Sequence, residues 1–479
     1  MQKDEKGKKD SRKDRLKIFF SGIGGSGVSA IASFMAARGH EVSGSDRAFD
    51  LDPSHPVAKF LKGKNIRILP QDGSGIDVSL DLAVMSTAVE EGTPEVAKAR
   101  SMGVLLKTRP QYLAELACGF KTVAVAGTSG KSTASGFLAF LMRELGLAPN
   151  FIGGGRVKAF KDAGKNPGNS IANTGAVTLG RPEWPQGEPE WLILEACESD
   201  GSIVNYRPFH SVILNLDVDH KGIEETAQMF TALAQNTRGN VIINADDANL
   251  RRLAIKGAVT FGINSSAWFM AAQIRPGPFG SRFTVDGVDF TINLPGIYNI
   301  YNALSAIAVL YTLGIPLGEI AGPMARFTGI DRRFDIHLNG PGEKLVIDDY
   351  AHNPHKIACF MQAVRAVRDR VCYVFQPHGF GPVRMMKKEY IEAFAQNLRK
   401  EDHLVLLPIF YQGGTVSMDV SSEDIARGVR EAGKSSAVCG REDVLDMAGQ
   451  WDCFAVMGAR DESLSGFAAA LAKVLIKKS

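Results

Sequence analysis

The chain has 479 residues, room for about three domains at roughly 150 residues each, and its 45% hydrophobic and 22% charged content is that of an ordinary globular enzyme. Its net charge of +3 is too small to argue for a nucleic-acid or membrane-surface partner. The six cysteines (118, 197, 359, 372, 439 and 453) form no C-x-x-C pair, so they point to neither a zinc site nor a disulfide framework, and a reducing compartment fits them best.

The opening "MQKDEKGKKDSRKDRLK" mixes both charge signs and has no apolar core of the signal-peptide kind; residues 1–16 are expected to be a disordered, solvated tail. No apolar run approaches the ~20 residues of a spanning helix. The expectation is a cytoplasmic protein that does not engage membranes. From Leu16 the pattern is strand, glycine loop, helix and second strand, "LKIFFSGIGGSGVSAIASFMAARGHEVSGSD", the start of a doubly wound parallel sheet. Further strands are predicted at "LDLAVMST" and "GVLLKT", and the helix "RPQYLAELACGF" leads out of a first domain spanning 17–118.

A second domain, 119–328, opens with strand "KTVAVAG", a glycine loop and the helix "STASGFLAFLMREL". Buried strands "EWLILEA", "HSVILNL" and "NVIINAD" alternate with helices, and "NIYNALSAIAVLYTLG" closes the unit. Between them, residues 158–190 are rich in Gly, Pro and Asn and read as a long surface excursion. A third domain, 329–479, restarts after "GIDRRFDI" with strands "KLVIDDY", "VCYVFQP", "HLVLLPI" and "CFAVMG". The fold class is α/β in three domains: N-terminal Rossmann-like, central P-loop-type and C-terminal α/β.

Two glycine loops carry the chemistry. In the first, Gly22, Gly24 and Gly27 satisfy G-x-G-x-x-G and Asp46 lies 19 residues past Gly27. Backbone amides at a helix N-terminus can approach a pyrophosphate closely, which fits a nicotinamide dinucleotide and a UDP-linked sugar equally; a structural turn is the weaker third reading. The second loop, "GTSGKST", adds charge. Gly127, Thr128 and Gly130 let the backbone fold around phosphate oxygens, Lys131 supplies a cation, and Ser132 or Thr133 offers a hydroxyl to Mg²⁺. A lysine at a helix start opposes the helix dipole unless an anion compensates it, so ATP is the simplest ligand. After the next two strands, "EACESDGS" and "NLDVDH" place Glu195, Glu198, Asp200, Asp217, Asp219 and His220 at strand ends. Ser132, Glu198 and His220 are the candidate ligands of Mg²⁺ or Mn²⁺; Asp217 reads as a loop acid.

These loops, with "MSTAVEEGTPEVAKAR", "GIYNIYNA", "DRRFD", "DDYAHNP", "FQPH" and "MGARD", resemble the Mur ligase family from about Leu16 to the C-terminus, and most of all its alanine-adding branch. The resemblance implies a Rossmann-like N-terminal domain holding a UDP-sugar through Gly24, Ser26, Gly27 and Asp46, with Ser86 and Thr87 nearby. It also implies a central domain binding ATP and metal through Lys131, Ser132, Glu198 and His220, and a Rossmann-like C-terminal domain that brings in the amino acid. Asn299 and Asn302 would then meet adenine, Arg332 the phosphates and Asp348 the ribose, while Tyr350, His352 and His378 would face the amino acid. The implied activity is ATP-dependent ligation of a UDP-N-acetylmuramate-type carboxylate to an amine, with Lys131, Glu198, His220, Arg332 and His352 as its catalytic set. A ligase for another amino acid or a peptide, and a non-catalytic UDP-sugar and ATP-binding regulator, are the alternatives. The partners would be these small molecules, with the chain a monomer or homodimer. The chain departs from the family pattern at Ser129, Cys197 and Tyr298, and at Gly379 and Pro382, where the family has two arginines; Arg384 and Lys387 are nearby cations that could compensate.

Overall fold

The computed structural model describes residues 15–161, 168–172, 189–217, 221–411 and 417–477. Chain contacts divide it into two compact units, 1–275 with 281–328 and 276–280 with 329–479. The first unit carries two parallel sheets and the second carries one, giving the three α/β domains expected.

In the first sheet the strands are Lys17–Ser21 (β1), Glu41–Ser45 (β2), Arg67–Leu69 (β3), Leu82–Met85 (β4) and Leu106–Thr108 (β5), in order β3-β2-β1-β4-β5 and parallel throughout. Ile18, Phe19 and Phe20 are wholly buried, as a parallel strand covered on both faces requires. Because successive strands leave β1 first on one side and then on the other, the crevice at its carboxyl end is a topological switch point. The first glycine loop sits there. The helix that leaves this domain, Arg109–Ala117, starts at a capping box formed by Thr108 and Gln111, with Pro110 in its first turn.

The central sheet contains Lys121–Ala126 (β6), Asn150–Ile152 (β7), Ser170–Ile171 (β8), Trp191–Glu195 (β9), His210–Ile213 (β10), Val241–Asn244 (β11), Val259–Gly262 (β12) and Phe269–Met270 (β13). Their order is β13-β12-β11-β10-β6-β9-β7-β8, with only the β7–β8 pair antiparallel. Strand β6 lies between β10 and β9, so a second switch point opens at its end and receives the lysine-bearing loop. Three strands, Ala272–Pro276 (β14), Ser281–Val285 (β15) and Val288–Ile292 (β16), form a separate sheet in which β15 and β16 run antiparallel. Neither this sheet nor β7, β8, β12 and β13 at the two ends of the central sheet is legible in the sequence, because such short segments carry too little periodicity to register. The expected tail falls almost wholly outside the described residues, and so do 162–167 and 173–188 of the predicted excursion.

The second unit has Asp335–Asn339 (β17), Leu345–Asp349 (β18), Cys372–Gln376 (β19), His403–Leu406 (β20), Ser436–Val438 (β21) and Cys453–Gly458 (β22), in order β17-β18-β22-β19-β20-β21. Strand β17 is antiparallel to β18 and the rest are parallel. The last strand in the chain is thus inserted between β18 and β19, and three carboxyl ends meet side by side.

Candidate functional site

The lysine-bearing loop is built by backbone freedom at two glycines. Gly127 has φ +139° and Gly130, the residue capping the helix Lys131–Glu144, has φ +85°. A Cβ at Gly130 would stand 2.7 Å from Asn302 Oδ1, so the loop closes against the helix Ile297–Thr312 only because no side chain is there. Asn302 donates to Asn299 Oδ1 at 3.1 Å, and Asn299 donates to the Pro295 carbonyl at 2.7 Å. Both asparagines are buried, and Tyr298 beside them is about half exposed. Among the described residues Ser129 is held through its backbone, with no hydrogen bond from its side chain. Asn215, just beyond β10, accepts from the Ser129 N–H at 2.8 Å, donates to its carbonyl at 3.0 Å and takes the Thr128 hydroxyl at 2.8 Å.

Lys131 points back into the loop, donating to the Gly127 carbonyl at 2.6 Å and to Glu198 Oε2 at 2.9 Å. Glu198 is 1% exposed and its Oε1 has no hydrogen-bond partner among the described residues. Burial pushes the Lys131 ammonium down, but attraction to Glu198, aided by Cys197 and Glu195, outweighs it and holds the group above its ordinary value. The anion that a lysine at a helix start needs is therefore supplied by the chain itself as well as by any phosphate. Ser132 donates to Glu195 Oε1 at 3.0 Å, and Gly154 N–H donates to Glu195 Oε2 at 2.8 Å. A buried carboxylate oxygen without a partner, a second carboxylate and a hydroxyl form an all-oxygen set suited to Mg²⁺. No group of three His, Cys, Asp or Glu stands together among the described residues, and His220 lies outside them. Cys197 neighbours Ser199 at 3.0 Å, and burial raises its thiol above the usual range despite Lys131. Asp200 serves elsewhere, pairing with Arg109 at 2.5 Å and capping Ser202 N–H at 3.0 Å. Asp217 offers its N–H to the Thr128 hydroxyl at 3.2 Å. Thr133 follows Ser132 in the first turn of the helix.

In the first glycine loop, Asp46 accepts from Gly24 N–H at 2.8 Å and from Ala48 N–H at 2.9 Å. One carboxylate thus ties the loop to the start of the next helix, and a Cβ at Gly24 would meet it at 2.8 Å. Gly22, at φ +74°, passes so close to Ser86 that a Cβ would lie 2.7 Å from that residue's own. Thr87 follows on the same turn. Ser26 heads the helix Ser26–Ala37, and its carbonyl receives the Asn169 amide at 3.2 Å. The Arg109 side chain lies over Gly27, within 3.5 Å of where its Cβ would be. This puts a cation beside the loop, which the spacing of glycines gave no means to foresee.

In the second unit Arg332 is 5% exposed and fully engaged. Its Nε donates to both oxygens of Asp348 at 3.3 Å, Nη1 to the Asp461 carbonyl at 3.1 Å and Nη2 to the Gly458 carbonyl at 2.5 Å. Asp348 is wholly buried. Here the two expected ATP contacts serve each other and pin the turn after β22. Tyr350, His352 and His378 do come together: the Tyr350 and His352 rings are 5.5 Å apart and the His352 and His378 rings 5.4 Å. Burial lowers His352 to about 4, and burial together with Arg460 lowers His378, so both imidazoles are neutral near pH 7. His352 Nδ1 lies 2.9 Å from the Tyr350 carbonyl. Gly379 adopts φ +68° as the helix Phe380–Asn397 begins, with Pro382 packed beneath it. Arg384 is not available as a substitute cation, because Asp419 and the Ser417 carbonyl hold it.

Two residues that the sequence does not single out, Asn215 and Arg109, and one named only as a strand-end acid, Glu195, make contacts in these loops. Asn215 braces the nucleotide loop, Glu195 receives Ser132, and Arg109 covers Gly27. Asn215 and Glu195 lie within "NLDVDH" and "EACESDGS", and their position at strand ends was the available signal.

Comparison with known proteins covers nearly the whole chain. Residues 17–121 match the Mur ligase family catalytic domain, 125–310 the Mur ligase middle domain and 332–460 the Mur ligase glutamate ligase domain. The UDP-N-acetylmuramate–L-alanine ligase of Xylella fastidiosa is 32% identical over 472 residues, covering 93% of each chain. That of Solidesulfovibrio magneticus is 34% identical over 440 residues, covering 88% of each. Among solved structures, the UDP-N-acetylmuramate–alanine ligase of Thermotoga maritima superposes with TM-score 0.76 at 24% identity, over 97% of this chain and 100% of that one. A murein peptide ligase from Psychrobacter arcticus follows at TM-score 0.67 and 20% identity, over 96% and 98%.

Proposed function

This chain belongs to the Mur ligase family, and from that premise we propose that it joins the carboxylate of UDP-N-acetylmuramate to L-alanine with ATP, in cytoplasmic peptidoglycan precursor synthesis. The observation that carries the chemistry is the buried Lys131–Glu198 pair at a helix N-terminus, with one carboxylate oxygen left over.

A carboxylate acylates poorly, so ATP first converts it to an acyl phosphate, which the amine attacks with loss of phosphate. Both steps gather negative charge on oxygen. Lys131 offers a fixed cation, and the Gly127–Lys131 backbone, braced by Asn215, offers N–H groups at a positive helix end. Phosphate arriving there takes over the ammonium from Glu198. Glu198, Ser132 and Glu195 would hold Mg²⁺, which when bound neutralises phosphate charge; His220 completes the set proposed from the sequence. Gly24, Ser26, Gly27, Asp46, Ser86 and Thr87, with Arg109, form the proposed UDP-sugar site, and Asn299 and Asn302 the proposed adenine face. Arg332 and Asp348 act by holding the turn after β22. The neutral imidazole of His352 can accept a hydrogen bond from the incoming amine, with Tyr350 and His378 shaping its surroundings.

The test is phosphate release from Mg²⁺-ATP and UDP-N-acetylmuramate with a panel of amino acids and short peptides. Release dependent on L-alanine supports the proposal; binding of both nucleotides with no release for any amine would overturn it. The absence of charge at Gly379 and Pro382 favours a second reading, a ligase for another amine, which release with a different panel member would select.

A further inference from the structure

We propose that Arg460 is the residue that selects the acceptor, binding the carboxylate of the incoming amino acid; this rests on the ligase reading above. An amino acid presents an anion beside its reacting amine, and a site that distinguishes it from a simple amine needs a cation there. Of the arginines around this mouth, Arg332 is buried in four side-chain hydrogen bonds, Arg384 is held by Asp419, and Arg333 lies on the Tyr350 ring. His352 and His378 are neutral. Gly379 and Pro382, at the start of the adjoining helix, bring no charge.

Arg460 differs from all of these. It follows β22, the strand inserted between β18 and β19, so its carboxyl end lies between the ends that carry Tyr350 and His378. Its backbone N–H donates to the Tyr350 hydroxyl at 3.4 Å, and its charge is felt by His378. The side chain is exposed, and its guanidinium has no hydrogen-bond or ion-pair partner among the described residues.

The backbone supplies an independent observation. Arg460 has φ +68°, a left-handed conformation that a residue with a Cβ adopts at a cost and glycine adopts freely. Such strain persists only where the surroundings over-determine it, and it gathers at binding sites. Here the surroundings do so. Arg332 grips the carbonyls of Gly458 and Asp461 on either side, and the Asp461 carboxylate is held by Arg441 at 2.5 Å and by Ser463 N–H at 2.9 Å. The turn is held on both sides of Arg460, and between Gly458 and Asp461 the exposed side chain is a guanidinium of the shape that pairs with carboxylate.

Arg460→Met, Arg460→Lys and Arg460→Gly would be assayed for phosphate release with L-alanine and with L-alaninamide, whose carboxylate is masked. The expected result is a KM for L-alanine raised about 10- to 100-fold in Arg460→Met, collapse of the preference for L-alanine over the amide, and partial recovery in Arg460→Lys. Arg460→Gly should lose the same preference while its Tm rises, since the strain goes with the side chain. An unchanged preference in Arg460→Met, or a lowered Tm in Arg460→Gly, overturns the assignment. If the unaltered protein releases no phosphate with any amine, the ligase reading fails and calorimetric titration of L-alanine decides: heat lost on Arg460→Met supports the site, and equal or absent heat overturns it.

Discussion

Lys131→Met removes the ammonium and leaves Glu198 as a 1% exposed carboxylate with neither oxygen paired among the described residues. At the 2.9 Å separation the gross attraction between the charges is about 6 kcal/mol at an effective dielectric near 20, against which desolvation of both groups must be set. Breaking one side of such a pair leaves the other uncompensated and costs roughly 3–5 kcal/mol, whereas neutralising both is close to neutral. In a domain of this size that is a fall in Tm on the order of 10 °C. The assay is calorimetric unfolding without nucleotide of the unaltered protein, Lys131→Met, Glu198→Gln and the double variant. Glu198→Gln should lose less, because Lys131 retains the Gly127 carbonyl, and the double variant should recover most of the Lys131→Met loss. All three should lose ATP turnover, so stability is regained in the double variant while catalysis is not. Strictly additive single effects, or a Lys131→Met variant within about 1 kcal/mol of the parent, would refute the claim that the chain supplies its own counterion.

Gly130→Ala forces a Cβ to 2.7 Å from Asn302 Oδ1 at φ +85°, and is expected to weaken ATP binding at least tenfold by calorimetry while UDP-sugar affinity stays within twofold. Asp46→Ala frees Gly24 N–H and Ala48 N–H; UDP-N-acetylmuramate affinity should fall about tenfold, and an equal fall in ATP affinity would contradict separate sites. His210 is 3% exposed, accepts from Asn240 N–H at 2.9 Å, and burial lowers it to about 4. The unfolded chain therefore takes up its proton first as pH drops, so the stability it contributes is complete above about 6.5 and declines by up to about 3 kcal/mol as pH approaches 4. His352 acts in the same direction. Urea midpoints at pH 7 and 4.5 should differ less in His210→Gln; identical pH sensitivity would show that His210 is not responsible.

The sequence by itself determined the three α/β domains and both glycine loops, because buried parallel strands are near-continuous apolar runs and a loop before a helix announces itself through glycine. Local motifs pointed to Lys131 and Glu198, and the resemblance added Tyr350 and His352. What only the tertiary structure decided is how groups far apart in the chain use one another. Strand order placed β9 and β10 beside β6, which is why Glu198 neutralises Lys131 and Asn215 braces Ser129. It inserted the last strand between β18 and β19, which ties Arg332 to the turn after β22 and leaves Arg460 exposed beside Tyr350. Periodicity and spacing report what a residue does along its own strand or helix; pairing across strands depends on which strands become neighbours, and that is settled by the packing of the whole sheet.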